Sequence, residues 1–257
     1  NPVVVTATDA SPDANVYAIG LNGTTLVYGG AFTYSNYVPR NYLSVIRSSN
    51  GTALPWNPLP DGYVLDIAYN YNKIFIAGSF DNVSGVSHAG AAAFNLGNGA
   101  PLAWNPLLSR ASYGPYADLN AVKADSNNVY LGGYFDQVNG TARGNAAAVA
   151  ANNGALLAWD PGASYVVRTL ALNGTDLLLG GDFNFCKGAS RSYIAKIDSA
   201  TGLVNATWNP GANSYVYAIT GNGNNIYAGG IFTQLGGITR TALGAVNANT
   251  GVATTFD

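Results

Sequence analysis

The stretch Leu26-Val27-Tyr28-Gly29-Gly30-Ala31-Phe32 decides the fold, because variants of it recur along the chain. Each copy is a short apolar run followed by two small residues, one variable residue and a phenylalanine. The later copies span residues 74–80, 129–135, 177–183 and 226–232. The second small residue and the phenylalanine of the copies are Gly30 and Phe32, Gly78 and Phe80, Gly133 and Phe135, Gly181 and Phe183, and Gly230 and Phe232. These phenylalanines follow one another after 48, 55, 48 and 49 residues, which indicates a repeat architecture.

A second marker, Trp-Asn-Pro or Trp-Asp-Pro, recurs in phase with the first. Its aromatic residues are Trp56, Trp104, Trp159 and Trp208, and Phe256 stands at the corresponding place in the last copy. The two markers divide the chain into repeat units 1–58, 59–106, 107–161, 162–210 and 211–257. The extra residues of the third unit fall at 107–117, before its first predicted strand.

Each unit predicts four short strands. In the fifth unit we place them at 215–220, 226–232, 241–246 and 252–256, separated by turns rich in Asn, Gly and Thr. Four strands in about 50 residues is the strand number and repeat length of a propeller blade. The prediction is therefore an all-β fold, a single β-propeller domain over 1–257 with five blades of four antiparallel strands. An open fragment of a larger ring is the alternative, since Asn1-Pro2 matches the end of a Trp-Asn-Pro marker.

The recurring glycines and aromatic residues have a structural interpretation. A glycine inside a strand is usually kept where another backbone or a ring packs closely. The phenylalanines and the closing aromatic residues are the large apolar side chains of each unit, and we expect them to anchor neighbouring blades.

The order of these motifs resembles a known family. Hydrophobic-Gly-Gly-x-Phe, then Gly-x-x-Arg, then Gly before a closing aromatic-Asn/Asp-Pro is similar to the delta-sixty repeats of bacterial surface and secreted proteins, a kelch-like propeller group. The resemblance covers all five units and implies the propeller fold, but the family is not tied to one activity. This chain departs from it by closing with Trp where those repeats often have Phe, and only Phe256 matches that form.

Composition excludes several classes of function. The formal net charge is −2 and 9% of residues are charged, so no basic stripe is available to follow a nucleic-acid backbone. No apolar run approaches the ~18 residues of a membrane-spanning helix. One Cys and one His leave neither a disulfide framework nor a multi-Cys metal site. We therefore predict no cofactor, no metal and no catalytic residues.

One cationic position recurs once per unit. It is occupied by Arg40, His88, Arg143, Arg191 and Arg240. These groups could form a ring of cations that binds a carboxylate or an acidic glycan. Alternatively, each guanidinium bonds loop carbonyls or a neighbouring Asp and fixes the strand entry. The second interpretation makes His88 a poor candidate for a catalytic base.

The remaining chemically active residues also follow the repeat. Cys186 aligns with Val83 and Val138, which predicts a buried structural thiol. Asp81 and Asp136 follow the repeat phenylalanine, where we expect a turn-capping role. Asp66, in the first strand of the second unit, is the nearest candidate for a catalytic carboxylate, and its alternative is a solvated side chain.

Tyrosines outside the strand motif are the better lead to function. They are Tyr34, Tyr37, Tyr42, Tyr63, Tyr71, Tyr113 and Tyr116. Tyrosine makes rigid amphipathic contacts with sugars and proteins. Tyr113 and Tyr116 lie in the longest insertion, where a binding or assembly loop is expected.

The sequence favours a non-enzymatic module, extracellular or at the cell surface, that acts in adhesion, scaffolding or surface assembly. Low charge and a first residue that is Asn rather than Met fit a secreted protein after removal of a signal. Its expected partners are other proteins or copies of itself, and surface glycans are a further candidate. The alternative function is a carbohydrate-binding lectin with sites between blades.

Overall fold

The computed structural model describes residues 10–110 and 117–256 of the chain. These residues belong to two compact units, Asn1–Asn105 and Pro106–Asp257, and the division lies one residue before the predicted boundary between the second and third repeats. We describe each unit by itself. In the described ranges no helix is long and apolar enough to cross a membrane.

Unit 1 contains two repeats with the same order of strands. The strands of the first repeat are β1 (Val16–Asn22), β2 (Thr25–Gly30), β3 (Tyr34–Ser35), β4 (Val38–Pro39) and β5 (Leu43–Arg47). Those of the second repeat are β6 (Tyr63–Asn70), β7 (Lys73–Ser79), β8 (Asn82–Val83), β9 (Val86–Ser87) and β10 (Ala91–Asn95).

Unit 2 contains the other three repeats. The strands of the third repeat are β11 (Leu108–Ser109), β12 (Asp118–Ala124), β13 (Asn128–Tyr134), β14 (Gln137–Val138), β15 (Thr141–Ala142) and β16 (Ala146–Ala150). The fourth has β17 (Val167–Asn173), β18 (Asp176–Gly181), β19 (Phe185–Cys186), β20 (Ala189–Ser190) and β21 (Ile194–Asp198). The fifth has β22 (Val216–Gly221), β23 (Asn225–Gly230), β24 (Gln234–Leu235), β25 (Ile238–Thr239) and β26 (Leu243–Asn247).

Every repeat has a main antiparallel sheet whose middle strand carries the Gly-Gly motif. The three long strands pair in the orders β1-β2-β5, β6-β7-β10, β12-β13-β16, β17-β18-β21 and β22-β23-β26. The predicted fourth strand is reduced to a single antiparallel bridge. These bridges are Ile46–Ala53, Phe94–Pro101, Val149–Leu156, Ile197–Val204 and Val246–Ala253. In the first four repeats the chain then leaves the sheet, because the proline that ends the marker has no N–H to donate.

The predicted loop through Gly236 and Gly237 is a small hairpin. It joins β24 to β25, and both glycines have positive φ, at 63° and 80°. Two consecutive positive φ angles are the requirement of a type I′ turn, which matches the twist of the flanking strands. The other repeats carry a hairpin at the same place, so the connection between the second and third long strands is an ordered element.

The second glycine of each motif lies against the backbone of its own repeat. The first strand has a β-bulge, as between Val16 and Ala18, and the carbonyl just before it approaches the glycine. A Cβ at Gly30 would lie 2.0 Å from the Asn15 oxygen, and one at Gly181 would lie 2.2 Å from the Val166 oxygen. The motif glycine therefore permits a backbone approach that any side chain would block.

The first glycine of the motif lies against the next repeat. A Cβ at Gly29 would lie 2.4 Å from Cγ1 of Val64, and one at Gly180 would lie 2.7 Å from Cγ1 of Val216. We call the side of a repeat that carries this glycine its forward face. The opposite side, which carries the valine that packs on the preceding repeat, is its rear face.

The large aromatic residues complete these contacts. All five repeat phenylalanines are buried, as are the four tryptophans. Trp208 lies at the end of the fourth repeat and donates its indole N–H to the Asn247 carbonyl of the fifth at 3.0 Å. Trp159 makes the equivalent bond to the Asp198 carbonyl of the fourth repeat, also at 3.0 Å. The Trp159 and Trp208 rings thus each join one repeat to the turn that follows the third long strand of the next repeat.

Candidate functional site

The recurring arginines donate to backbone carbonyls. Arg143 donates from one terminal nitrogen to the Ala142 oxygen at 2.8 Å and from the other to the Leu157 oxygen at 3.0 Å. Arg240 repeats this with Thr239 and Thr254, both at 2.8 Å. Arg40 and Arg191 make the same pair of contacts with their own neighbours.

This geometry favours the structural interpretation of the cationic position. Each guanidinium holds the end of the small hairpin to the closing segment of its repeat. The alternative, a ring of cationic groups that binds anions, stays a prediction, because the observed contacts of these guanidinium groups are with backbone carbonyls.

His88 replaces arginine in the second repeat and is 4% exposed. Burial lowers the pKa of His88 below its usual value, although hydrogen bonds with the Ala91 backbone and the Asn105 side chain oppose this shift. The imidazole is consequently neutral at pH 7.

Cys186 lies in β19, where its side chain is fully buried. Its backbone pairs with that of Ala163 in an isolated antiparallel β-bridge. Burial raises the pKa of Cys186 to about 12, although the charge of Arg191 opposes this rise. A thiol held protonated in this way is a poor nucleophile.

Asp66 accepts the backbone N–H of Ile67 at 2.9 Å. Within 10–110 and 117–256, no group of three or more His, Cys, Asp or Glu residues could hold a metal ion.

The sequence analysis missed a recurring hydrogen-bonded tie. Three residues before the first-strand valine, a short polar side chain accepts two consecutive backbone N–H groups just after the repeat phenylalanine. Asp61 accepts from Asp81 and Asn82, both at 2.9 Å. The same tie is made by Asp13, Ser164 and Asn213. Asp81 was the predicted cap, but its backbone amide is the group that is capped.

Tyr113 and Tyr116 lie outside the described residues. Of the other predicted tyrosines, Tyr37 and Tyr71 are highly exposed on turns. Tyr42 and Tyr63 belong to a group in unit 1, since Tyr63 contacts both Tyr17 and Tyr42 edge-on, with centroids 6.2 Å and 5.7 Å away.

A larger group in unit 2 is the candidate site. We call it the tyrosine patch, and it consists of Tyr134, Tyr165, Arg168, Asp182, Tyr215 and Tyr217. Tyr134 and Tyr165 meet edge-on with centroids 5.4 Å apart. The other two tyrosines lie near the Arg168 guanidinium, with ring centroids 5.8 Å (Tyr215) and 5.2 Å (Tyr217) from its carbon.

An ion pair lies inside the tyrosine patch. Arg168 donates to both carboxylate oxygens of Asp182, each at 2.6 Å. The hydrogen bond to Asp182 raises the pKa of Arg168, against the effect of partial burial. A bidentate pair of this kind has a fixed orientation. Tyr165, Tyr215 and Tyr217 remain exposed around it.

The patch is built from equivalent positions in successive repeats. Tyr134 and Asp182 both occupy the variable position between the motif glycine and phenylalanine. Arg168 and Tyr217 both follow the first-strand residue that packs on the preceding repeat. The sequence holds this signal, because these positions vary while the motif around them is constant, but only the fold brings them together.

No protein-family model matches the chain, and no curated protein matches its sequence. Several solved propellers are similar to it. The computationally designed Ika8 protein is 15% identical, with a TM-score of 0.61 over 94% of this chain and 61% of that chain. The WD40 domain of Neurospora crassa Pan2 is 11% identical, with a TM-score of 0.60 over 94% of this chain and 65% of that chain.

The chain has a β-propeller fold. Nidogen, from a nidogen–laminin complex, is also similar, at 11% identity and a TM-score of 0.55 over 93% of this chain and 78% of that chain. The predicted all-β class with five repeating propeller blades is confirmed. The chain spans about three fifths of the length of the designed Ika8 protein. At these identities the likeness concerns the fold alone.

Proposed function

We propose that this protein is a non-enzymatic module that acts in adhesion, scaffolding or surface assembly through protein–protein contacts, outside the cell or at its surface. The observation that carries the proposal is the tyrosine patch, where exposed rings surround a preorganised ion pair. Its partners are other proteins or copies of the chain.

The physical basis of this proposal is that binding through such a surface loses little conformational entropy. Tyrosine offers a large amphipathic contact area and has few rotatable bonds, so little conformational entropy is lost on binding. Arg168 is already fixed by Asp182, and its guanidinium face lies beside two rings. Tyrosine and arginine are also the residue types that most often dominate protein interfaces.

The proposed location outside the cell has two supports. The motifs resemble the kelch-like delta-sixty repeats of bacterial surface and secreted proteins, and we extend that assignment to this chain as part of the proposal. Among the similar structures is the extracellular domain of a one-component system from B. thetaiotaomicron, 14% identical with a TM-score of 0.51 over 83% of this chain and 25% of that chain.

A carbohydrate-binding lectin is the second candidate. Tyrosine rings stack on sugars as well as on proteins, and the exposed rings of the patch allow this. A lectin with one site between each pair of blades would repeat its binding residues. Here the position of Tyr134 holds Ala31, Ser79, Asp182 or Ile231 in the other repeats, which favours protein contacts.

The test is adhesion of beads coated with the purified chain. We expect coated beads to clump, and the Tyr165→Ser/Tyr217→Ser variant to reduce clumping several-fold without changing its thermal midpoint. The matched control is Tyr71→Ser, since Tyr71 is 80% exposed on a turn outside the patch.

A glycan array with the same three proteins separates the candidates. Dispersed beads together with patch-dependent glycan binding would favour the lectin. Dispersed beads without glycan binding would contradict both functions.

A further inference from the structure

A polar pocket of about 330 Å³ lies in unit 2, where the fourth repeat passes into the fifth. The turn of the small hairpin between β24 and β25 lines it through Gly236 and Gly237. The other lining residues are Asn209, Pro210, Thr250, Gly251 and Val252. None of these residues belongs to the tyrosine patch, so the pocket is a separate feature of the surface.

The pocket is associated with a glycine at the first position of the hairpin turn. The counterparts of Gly236 in the other repeats carry side chains, and they are Asn36, Ser84, Asn139 and Lys187. The backbone does not require glycine here, since Asn139 holds the same left-handed conformation, with φ of 51° against 63° for Gly236. Gly236 therefore leaves open a place that a side chain takes in the other repeats.

The third repeat shows which group this place accepts. The Asn139 Oδ1 accepts the Leu107 N–H at 2.9 Å, and its Nδ2 donates to the Gly154 oxygen at 3.2 Å. In the second repeat Ser84 uses the same place for a shorter link, because its hydroxyl donates to the Pro58 oxygen at 2.7 Å. A carboxamide thus joins the segment before the hairpin to the turn after the third long strand.

Both partners of this carboxamide have counterparts in the fifth repeat. Gly251 lines the pocket and corresponds to Gly154, and both have φ of 74°. Gly211 corresponds to Leu107, and its oxygen accepts the Gly236 N–H at 3.1 Å, against 2.8 Å for the same bond in the third repeat. The fifth repeat thus retains the donor and acceptor positions without the side chain that joins them.

A neighbouring repeat leaves this part of the surface accessible. The fourth repeat lies between two others in unit 2, and the corresponding turn residues Lys187 and Gly188 are nevertheless exposed. Leu203, the counterpart of Val252, is 59% exposed there, and Val252 itself is 64% exposed. The opening of the pocket therefore does not depend on whether the fifth repeat is covered by another.

We infer that this pocket binds the primary carboxamide of an asparagine or glutamine side chain of a partner protein. The carboxamide oxygen accepts the Gly211 N–H and its nitrogen donates to the Gly251 carbonyl, as the Asn139 amide does with the corresponding groups. A carboxamide carries an acceptor and donors in one group, whereas a carboxylate has no N–H to offer. The lining residues carry no charge, which favours a neutral ligand over an ion.

Three substitutions in the hairpin turn test the site. Gly236→Asn supplies the carboxamide from the chain itself and should block the pocket. Gly236→Ala supplies only the Cβ, which would lie 3.0 Å from Ala253, and should leave most of the pocket open. The thermal midpoint of Gly236→Asn should exceed that of Gly236→Ala, because both meet Ala253 and only asparagine adds hydrogen bonds. Gly237→Asn is the matched control, since a Cβ there would meet nothing within 4 Å.

The binding measurement is an NMR titration that follows the amide signals of Gly211 and Gly251. The probe is the pentapeptide Gly-Gly-Gln-Gly-Gly with free termini. We expect saturable shifts for the wild type, Gly236→Ala and Gly237→Asn, and none for Gly236→Asn. The peptide Gly-Gly-Glu-Gly-Gly should bind about tenfold more weakly, because its carboxylate leaves the Gly251 carbonyl without a donor.

Equal affinity for the two peptides, or undiminished shifts in Gly236→Asn, would overturn the inference. A wild type that shows no shifts with the glutamine peptide would overturn it as well. Tighter binding of N-acetylglucosamine than of the glutamine peptide would assign the pocket to a glycan instead. The bead assay with Tyr165→Ser/Tyr217→Ser involves none of these residues, so the proposed function stands or fails independently of this pocket.

Discussion

At the scale of single residues, the polar tie at Asp61 shows how a short side chain fixes the connection after each repeat phenylalanine. Burial raises the pKa of the Asp61 carboxyl, but hydrogen bonds from the Asn82 backbone, the Asn82 side chain and the Asp81 backbone together outweigh it. The net result is a pKa below the usual value, so the ionised form is favoured in the folded state.

This shift gives the first prediction, which concerns pH. A carboxyl with a lowered folded pKa contributes stability above its unfolded pKa, and that contribution is lost as pH falls through the folded pKa. Asp61→Asn keeps the acceptor, as Asn213 does in the fifth repeat, and should be neutral at pH 7. Its urea midpoint should fall less than that of the wild type between about pH 5 and about pH 2.5.

Asp61→Ala is the companion variant for this tie. It removes all three hydrogen bonds that the Asp61 side chain accepts and should cost about 1 kcal/mol at pH 7, since the site is partly solvated. If Asp61→Asn loses stability in acid as steeply as the wild type, the Asp61 carboxylate is not the source of the acid sensitivity. If Asp61→Asn is as unstable as Asp61→Ala at pH 7, a neutral acceptor does not replace the carboxylate, and the expected equivalence with Asn213 is wrong.

At the scale of single residues, sequence analysis predicted some features correctly and missed others. It placed Cys186 in a buried apolar position, because the repeat aligns it with Val83 and Val138. It missed the tie at Asp61, because a cap that lies 20 residues before the amides it binds has no local signature. The tyrosine patch was missed for the same reason, since Tyr134 and Tyr217 belong to different repeats.

At the scale of the element, the blade is defined by what each long strand packs against. In the fifth repeat the sequence predicted the three long strands to within two residues of the observed bounds. The fourth strand pairs antiparallel as predicted but is shorter than the predicted 252–256, since it is one bridge at Ala253 in the fifth repeat.

The second prediction compares the closing aromatic residue of two repeats. Trp208 is fully buried and bonded to the following repeat, so Trp208→Ala should destabilise the chain by about 3–5 kcal/mol. Phe256 occupies the same position in the last repeat but is 42% exposed. Phe256→Ala should therefore cost only about 1 kcal/mol.

Urea unfolding of the two variants beside the wild type checks this comparison. Equal losses of stability in the two variants would mean that the closing aromatic residue is supported by its own repeat. The contribution of the following repeat, visible here as the contact between Trp208 and Asn247, would then be negligible.

At the scale of the whole molecule, stability is expected to follow the number of neighbours that a repeat has. In repeat proteins it is approximately a sum of the intrinsic stability of each repeat and of its nearest-neighbour interfaces. The sequence could not show which of these positions are exposed, because Leu243 fits the repeat pattern as well as Leu43 does. Only burial in the folded chain separates them.

The last prediction applies this to the fourth and fifth repeats, which share unit 2. The middle strands β18 and β23 have the same pairing pattern, but β23 is less buried than β18. Leu243 beside β23 is 49% exposed, whereas Ile194 beside β18 is 0% exposed. Amide hydrogens of β23 should therefore exchange faster than those of β18 in a hydrogen-exchange measurement, because a strand with fewer buried contacts opens at a lower free energy. Exchange that is equally slow in both strands would mean that the two repeats open together and that burial of the individual strand does not set its protection.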